Sequence, residues 1–181
     1  MDPHEDFHQD RQVVPVPVGM LAPDFTLPHT TSIRVALHSL LGNPVVLVFY
    51  PLDWEPVSHD QLVLYQKFAD EIARLDARLL GISADSVYCH AAFAREAQLR
   101  FPLLADFQPR GQVARVYGVY REGQGMSARA LFVLDREGRI RFSRAYPDFL
   151  NPGVDDLLTI LEDLAHETAG YNRSDESRRE H

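Results

Sequence analysis

The sequence predicts an α/β fold, with a central mixed β-sheet flanked by helices on both faces. Three observations carry that expectation. Two continuous apolar runs, Val45–Tyr50 and Leu79–Ser83, read as strands covered on both faces. Between them Leu62, Tyr65, Phe68, Ile72 and Leu75 recur at steps of three and four, the spacing of a helix with one buried side. Ala130–Leu134 and Ile140–Arg144 flank Asp135-Arg136-Glu137-Gly138, a hairpin signal.

Taken in order, residues 1–17 mix Pro, His, Asp and Gln with little periodicity and read as a loose arm. Ala22–Leu27 is a short extended entry stopped by Pro28, and Ile33, Val35 and Leu37 alternate after a turn at Thr30–Ser32. After the second buried run, Asp85 or Ser86 can cap a helix carrying Ala91, Ala92, Phe93 and Ala97. Phe101–Asp106 is extended, and Gln112–Tyr117 forms a short helix. Asn151-Pro152 opens a last amphipathic helix through Leu157, Leu158, Leu161 and Leu164. Residues 169–181 are a charged tail with too little apolar surface to fold alone. The folded domain is expected over residues 18–168, without internal repeats.

At 181 residues, 45% of them hydrophobic and 24% charged, the chain is long enough for one domain with a sizeable core. A net charge of −8 argues against nucleic acid or an anionic membrane surface as partner. No apolar run approaches the roughly 20 residues that cross a bilayer. The acidic, polar start Met1-Asp2-Pro3-His4-Glu5-Asp6 does not read as a secretory signal. A single Cys cannot form an internal disulfide, and a lone thiol suits a reducing cytoplasm.

The segment from Val45 to Ser58 runs from a buried strand through Pro51 into a helix start at Pro56. It resembles the active-site strand, loop and first helical turn of the peroxiredoxins, whose pattern is Pro-x-x-x-Thr-x-x-Cys. Pro51 matches, Glu55 stands in place of the Thr, and Ser58 stands in place of the peroxide-reducing Cys. The resemblance covers about residues 18–165. It also rests on Ala22–Leu27, Phe49-Tyr50-Pro51, Gly81-Ile82-Ser83 with Asp85, and Phe101–Leu104 with Asp106. Tyr117-Gly118-Val119 and Arg129-Ala130 with Phe132–Asp135 complete it. It implies a thioredoxin-like fold and thiol-dependent reduction of hydrogen peroxide or alkyl hydroperoxides. No metal, haem or flavin is implied, and the eight His residues show no metal-ligand spacing.

Such chemistry needs a thiolate near neutral pH, which a helix N-terminus and a nearby cation favour. Arg129 resembles the family arginine that faces the sulfur and the peroxide oxygens, with a fork of donors suited to negative charge. Ser58 cannot replace the thiol, because its hydroxyl stays un-ionised and oxygen has no sulfenic acid step. His59 is no base for it, since adjacent helical residues point apart. An ionised Glu55 accepts hydrogen bonds but cannot donate them as Thr does. It can pair with Arg129, or it can be an exposed first-turn acid favoured by the helix dipole. Cys89 resembles the resolving thiol that some bacterioferritin-comigratory-type peroxiredoxins keep in the corresponding helix; a small buried hydrophobe is the alternative.

A third reading, Cys89 as the redox centre of a thioredoxin-like oxidoreductase, lacks a Cys-x-x-Cys pair, and two others stand before it. One is a peroxidase whose nucleophile was replaced by Ser, as an experimenter would do to silence it. The other is a natural, catalytically silent relative acting as a binding or regulatory module, for which Glu55 speaks. The parent enzyme would use a peroxide substrate and a thioredoxin-like reductant, as a monomer or weak homodimer.

Overall fold

The structure, a computed structural model, describes residues 13–179, with side chains through residue 167. The chain orders as β1 (Thr26–Pro28), β2 (Arg34–Ala36), a 3-10 turn (Leu37–Leu40), β3 (Val45–Phe49), α1 (Pro56–Lys67), α2 (Ala69–Arg74) and β4 (Arg78–Ser83). Then come α3 (Val87–Glu96), β5 (Leu103–Ala105), α4 (Gln112–Val116), β6 (Tyr120–Arg121), β7 (Met126–Ser127), β8 (Arg129–Leu134), β9 (Ile140–Tyr146) and α5 (Asp155–Arg179).

Five strands form the central sheet in the order β5-β4-β3-β8-β9. β3, β4 and β5 run parallel, whereas β8 and β9 are antiparallel to their neighbours. The expected mixed α/β sheet is therefore observed. β3 lies in its centre, and all five of its residues are fully buried. Alternation along a strand sends its side chains to opposite faces. Val45, Leu47 and Phe49 pack with Phe25, Tyr117 and Phe132, under the N-terminal strands and α4. Val46, Val48 and Tyr50 pack with Leu62, Tyr65, Phe93 and Leu161, under α1, α3 and α5. Helices thus cover both faces, as a strand with no polar side requires.

Several local expectations change. The stretch from Leu62 to Leu75 is two helices broken at Phe68, whose backbone (φ −98°, ψ 4°) leaves the helical range. Apolar spacing carries no mark of the break, because Phe68 keeps an apolar side chain at the bend. α5 begins at Asp155, because the Asn151 side chain accepts from Gly153 N–H (3.1 Å) and holds residues 151–153 in a turn. Its backbone stays helical to Arg179, through much of the segment read as a charged tail. The β6–β7 hairpin, two residues a side, is too short to show any period.

The first twelve residues of the expected arm lie outside the described residues; the next five are docked. Val13 and Val16 pack on the core, Val16 N–H donates to Tyr117 O (3.1 Å), and Ser143 Oγ donates to Val16 O (2.7 Å). Gly118 makes room for them. It has φ +73°, and a Cβ there would lie 2.0 Å from the Val14 carbonyl oxygen. Gly118→Ala is therefore expected to lower unfolding stability by about 1–3 kcal/mol and to expose the arm. Urea unfolding together with limited proteolysis would check this, and unchanged curves would contradict it.

Candidate active site

The site assembles where β3 ends and α1 begins. Pro51 is buried two residues past the end of β3, and Pro56 occupies the first turn of α1, where its missing N–H costs nothing. Glu55 is the N-cap. Its Oε1 accepts from Val57 N–H (3.0 Å) and its Oε2 from Ser58 N–H (2.7 Å), two donors that a helix start leaves unpaired. Ser58 is fully buried, and its hydroxyl donates to the same Oε2 at 2.6 Å.

Arg129, at the start of β8, meets them and is itself fully buried. An arginine thus faces position 58, away from solvent. Nη1 donates to Gln61 Oε1 (2.8 Å) and lies 3.4 Å from Ser58 Oγ. Nη2 donates to Glu55 Oε2 (2.8 Å) and to the Asp148 carbonyl (3.0 Å). Glu55 is thus the counter-charge of a buried guanidinium as well as a cap. Burial raises its pKa, but hydrogen bonds from Ser58, from Arg129 and from the two capped amides outweigh burial and hold it below 4.5.

Cys89 belongs to a second cluster. Its N–H donates to the Ser86 cap of α3 (3.3 Å). Burial first, then the hydrogen bond and charge of Asp53 and the charge of Asp85, push its thiol up to about 11. In these surroundings the thiol is neutral, so action on a sulfenic acid would require it to leave them. Around it, Asp53 accepts from Tyr50 OH (2.8 Å) and pairs with His90 Nδ1 (2.8 Å), both fully or almost fully buried. Asp85 Oδ2 accepts from Ser83 Oγ (2.7 Å) and from Asp53 N–H (2.8 Å). Ligand atoms of Asp53, Asp85 and Cys89 lie within 4.8 Å of one another, but both carboxylates already serve protein donors.

Trp54 joins the two clusters and has φ 65°, a left-handed backbone that costs a bulky residue on the order of 1–3 kcal/mol. Its ring packs edge-on against Phe93 (5.3 Å) and stays half exposed.

The structure thus brings Ser58, Glu55 and Arg129 into one hydrogen-bonded group, with Pro51 at the turn leading to it. Among the described hydrogen bonds and ion pairs, none ties Cys89 to that group. Gln61 was not singled out by sequence, although its i+3 spacing from Ser58 puts it on the same helical side. Asp53, His90 and the Asp148 carbonyl gave no sequence signal, since only the fold brings them near.

The depressed pKa of Glu55 has a defined sign. Its contribution to stability is complete above about pH 4.5, the ordinary carboxylate value, and is lost as acid protonates the folded protein. Glu55→Gln should therefore flatten the acid limb of urea stability between pH 7 and pH 3. A parallel loss in both proteins would contradict it. For Cys89, alkylation by iodoacetamide should stay slow at pH 8 and keep rising towards pH 11. A plateau near pH 8.5 would count against the described surroundings.

Residues 18–143 match the model of the AhpC/TSA family. Alkyl hydroperoxide reductase E of Mycobacterium tuberculosis is 38% identical over 127 residues, which are 70% of this chain and 83% of that protein. Peroxiredoxin 2 of Thermoplasma acidophilum is 31% identical over 153 residues, covering 81% and 75% respectively. Among solved structures, Enterococcus faecalis AhpC superposes with a TM-score of 0.76 at 28% identity, over 86% of this chain and 95% of that one. The peroxidoxin BcpB of M. tuberculosis does so at 0.72 and 32%, over 81% and 96%. Matched over most of its length in sequence and fold, the chain belongs to the AhpC/TSA family of peroxiredoxins.

Proposed function

We propose that this chain is a peroxiredoxin scaffold in which peroxide reduction is silenced at position 58, where the parent thiol peroxidase carries its peroxidatic Cys. In that parent a thiolate attacks one peroxide oxygen. The S–O bond forms as the O–O bond breaks, and the departing alkoxide or hydroxide takes up a proton. The resulting sulfenic acid condenses with a second thiol, releasing water, and a thioredoxin-like dithiol restores the reduced enzyme. Cys89 is the candidate second thiol. The substrate class is hydrogen peroxide or alkyl hydroperoxides, the compartment a reducing cytoplasm, and the assembly a monomer or weak homodimer.

One observation carries the proposal: the group at position 58 is a buried hydroxyl that donates to Glu55 and faces Arg129. Among the described residues no base stands beside it, since Glu55 is held below the ordinary carboxylate range and is a poor base. The reading as a natural silent module is favoured by a separate observation. Glu55 already occupies both Arg129 Nη2 and the α1 amides, the donors that a thiolate and peroxide would use.

The two readings predict different repairs. The purified protein should consume no hydrogen peroxide in a horseradish-peroxidase competition assay, and rapid consumption would end the proposal. If one Cys was exchanged for Ser in an otherwise working site, Ser58→Cys alone restores fast turnover. If Glu55 evolved with the loss, Ser58→Cys alone stays slow, and adding Glu55→Thr raises the rate by about 10²-fold or more. No turnover in either variant would show that the rest of the site is not intact.

A further inference from the structure

Asp53, Trp54 and Glu55 are consecutive, yet the two acids are anchored to different parts of the fold. The Asp53 carboxylate is fully buried between Tyr50 OH and His90 Nδ1, each at 2.8 Å, and its N–H is held by Asp85. Glu55 is anchored two residues on, to the amides of α1 and to Arg129. Between them stands Trp54 with φ 65°, a conformation that persists only where its surroundings impose it. A change of Trp54 to an ordinary negative φ would swing the following peptide and turn Glu55 away from Arg129. Arg129 would keep Gln61 and the Asp148 carbonyl.

We infer that Asp53, clamped by His90 and Tyr50, is a positioning residue for this site: through the left-handed backbone of Trp54 it sets the Glu55 carboxylate on Arg129 and on position 58. Besides Tyr50 and His90, the groups facing it are Asp85 and the Cys89 thiol. The Asp53 side chain reaches none of the Ser58 group directly; its effect on position 58 passes through Glu55. The inference rests on the reading of Glu55 as the carboxylate that occupies Arg129.

The test uses the full-length Ser58→Cys protein, with alkylation of the thiol at position 58 followed against pH by peptide mass, so that Cys89 is scored separately. Asp53→Asn should lower the midpoint by about one pH unit, since a displaced Glu55 no longer opposes the thiolate. With Glu55→Gln already present, Asp53→Asn should leave the midpoint unmoved. Trp54 is the single Trp of the chain, so its emission reports the loop directly and should change with Asp53→Asn. His90→Gln, which leaves the Tyr50–Asp53 bond in place, should shift midpoint and emission the same way by less. It carries the test if Asp53→Asn fails to fold. An unmoved midpoint in a folded variant, or an equal shift with and without Glu55, overturns the inference. Equal midpoints for Ser58→Cys with and without Glu55→Gln would instead sink the reading of Glu55 itself.

Discussion

A fully buried guanidinium organises this molecule. Arg129 comes from β8, a strand inside the sheet, and its charge has no access to water. An unpaired charge at such a depth costs several kcal/mol, so the elements around it must bring it acceptors. They do so from three directions: Glu55 at the start of α1, Gln61 further along that helix, and the Asp148 carbonyl beyond β9. The helix start, the sheet and the loop after β9 are thereby tied to one side chain. Asp148 is tied a second time, through the ion pair of its carboxylate with Arg121.

Position 58 acquires its character from this arrangement. A helix N-terminus and a buried cation together call for an anion. In a thiol peroxidase a thiolate can be that anion, because sulfur ionises near neutral pH under such influences. A hydroxyl does not ionise there, and the demand falls on Glu55, whose carboxylate satisfies the amides of Val57 and Ser58 along with the guanidinium. Ser58 and Glu55 are therefore complementary: position 58 carries a neutral hydroxyl, and the negative charge facing the arginine stands on the carboxylate three residues before it.

The second cluster lies beside the first at the ends of the parallel strands β3 and β4, where the chain leaves the sheet and open α/β folds place their chemistry. Tyr50, Asp53, Ser83, Asp85 and His90 are joined by hydrogen bonds there, with His90 Nε2 buried and, among the described residues, unpaired. Cys89, pushed up to about 11 among these acids, is a neutral thiol in a polar setting. It was read from sequence as a resolving thiol or a buried hydrophobe. What the structure adds to those two readings is the pair of acids, Asp53 and Asp85, that surround it.

Much of the fold was legible in the chain. Runs buried on both faces marked β3 and β4, the Asp135–Gly138 turn marked the β8–β9 hairpin, and helical spacing marked α1 and α5, because these features repeat within a few residues. The break at Phe68 and the docking of residues 13–17 were hidden, since a bend and a docking groove leave no local period. At the site, Ser58, Glu55, Arg129 and Pro51 could be named because of the resemblance to the peroxiredoxins. What the sequence by itself determined was which groups were present at position 58 and around it, a hydroxyl and a carboxylate in one helical turn. Tertiary structure alone decided that the carboxylate faces the arginine and that Asp53, Trp54 and His90 bear on its placement. Those contacts join residues 37 to 74 positions apart, and only the packing of strands and helices brings such groups within a hydrogen bond.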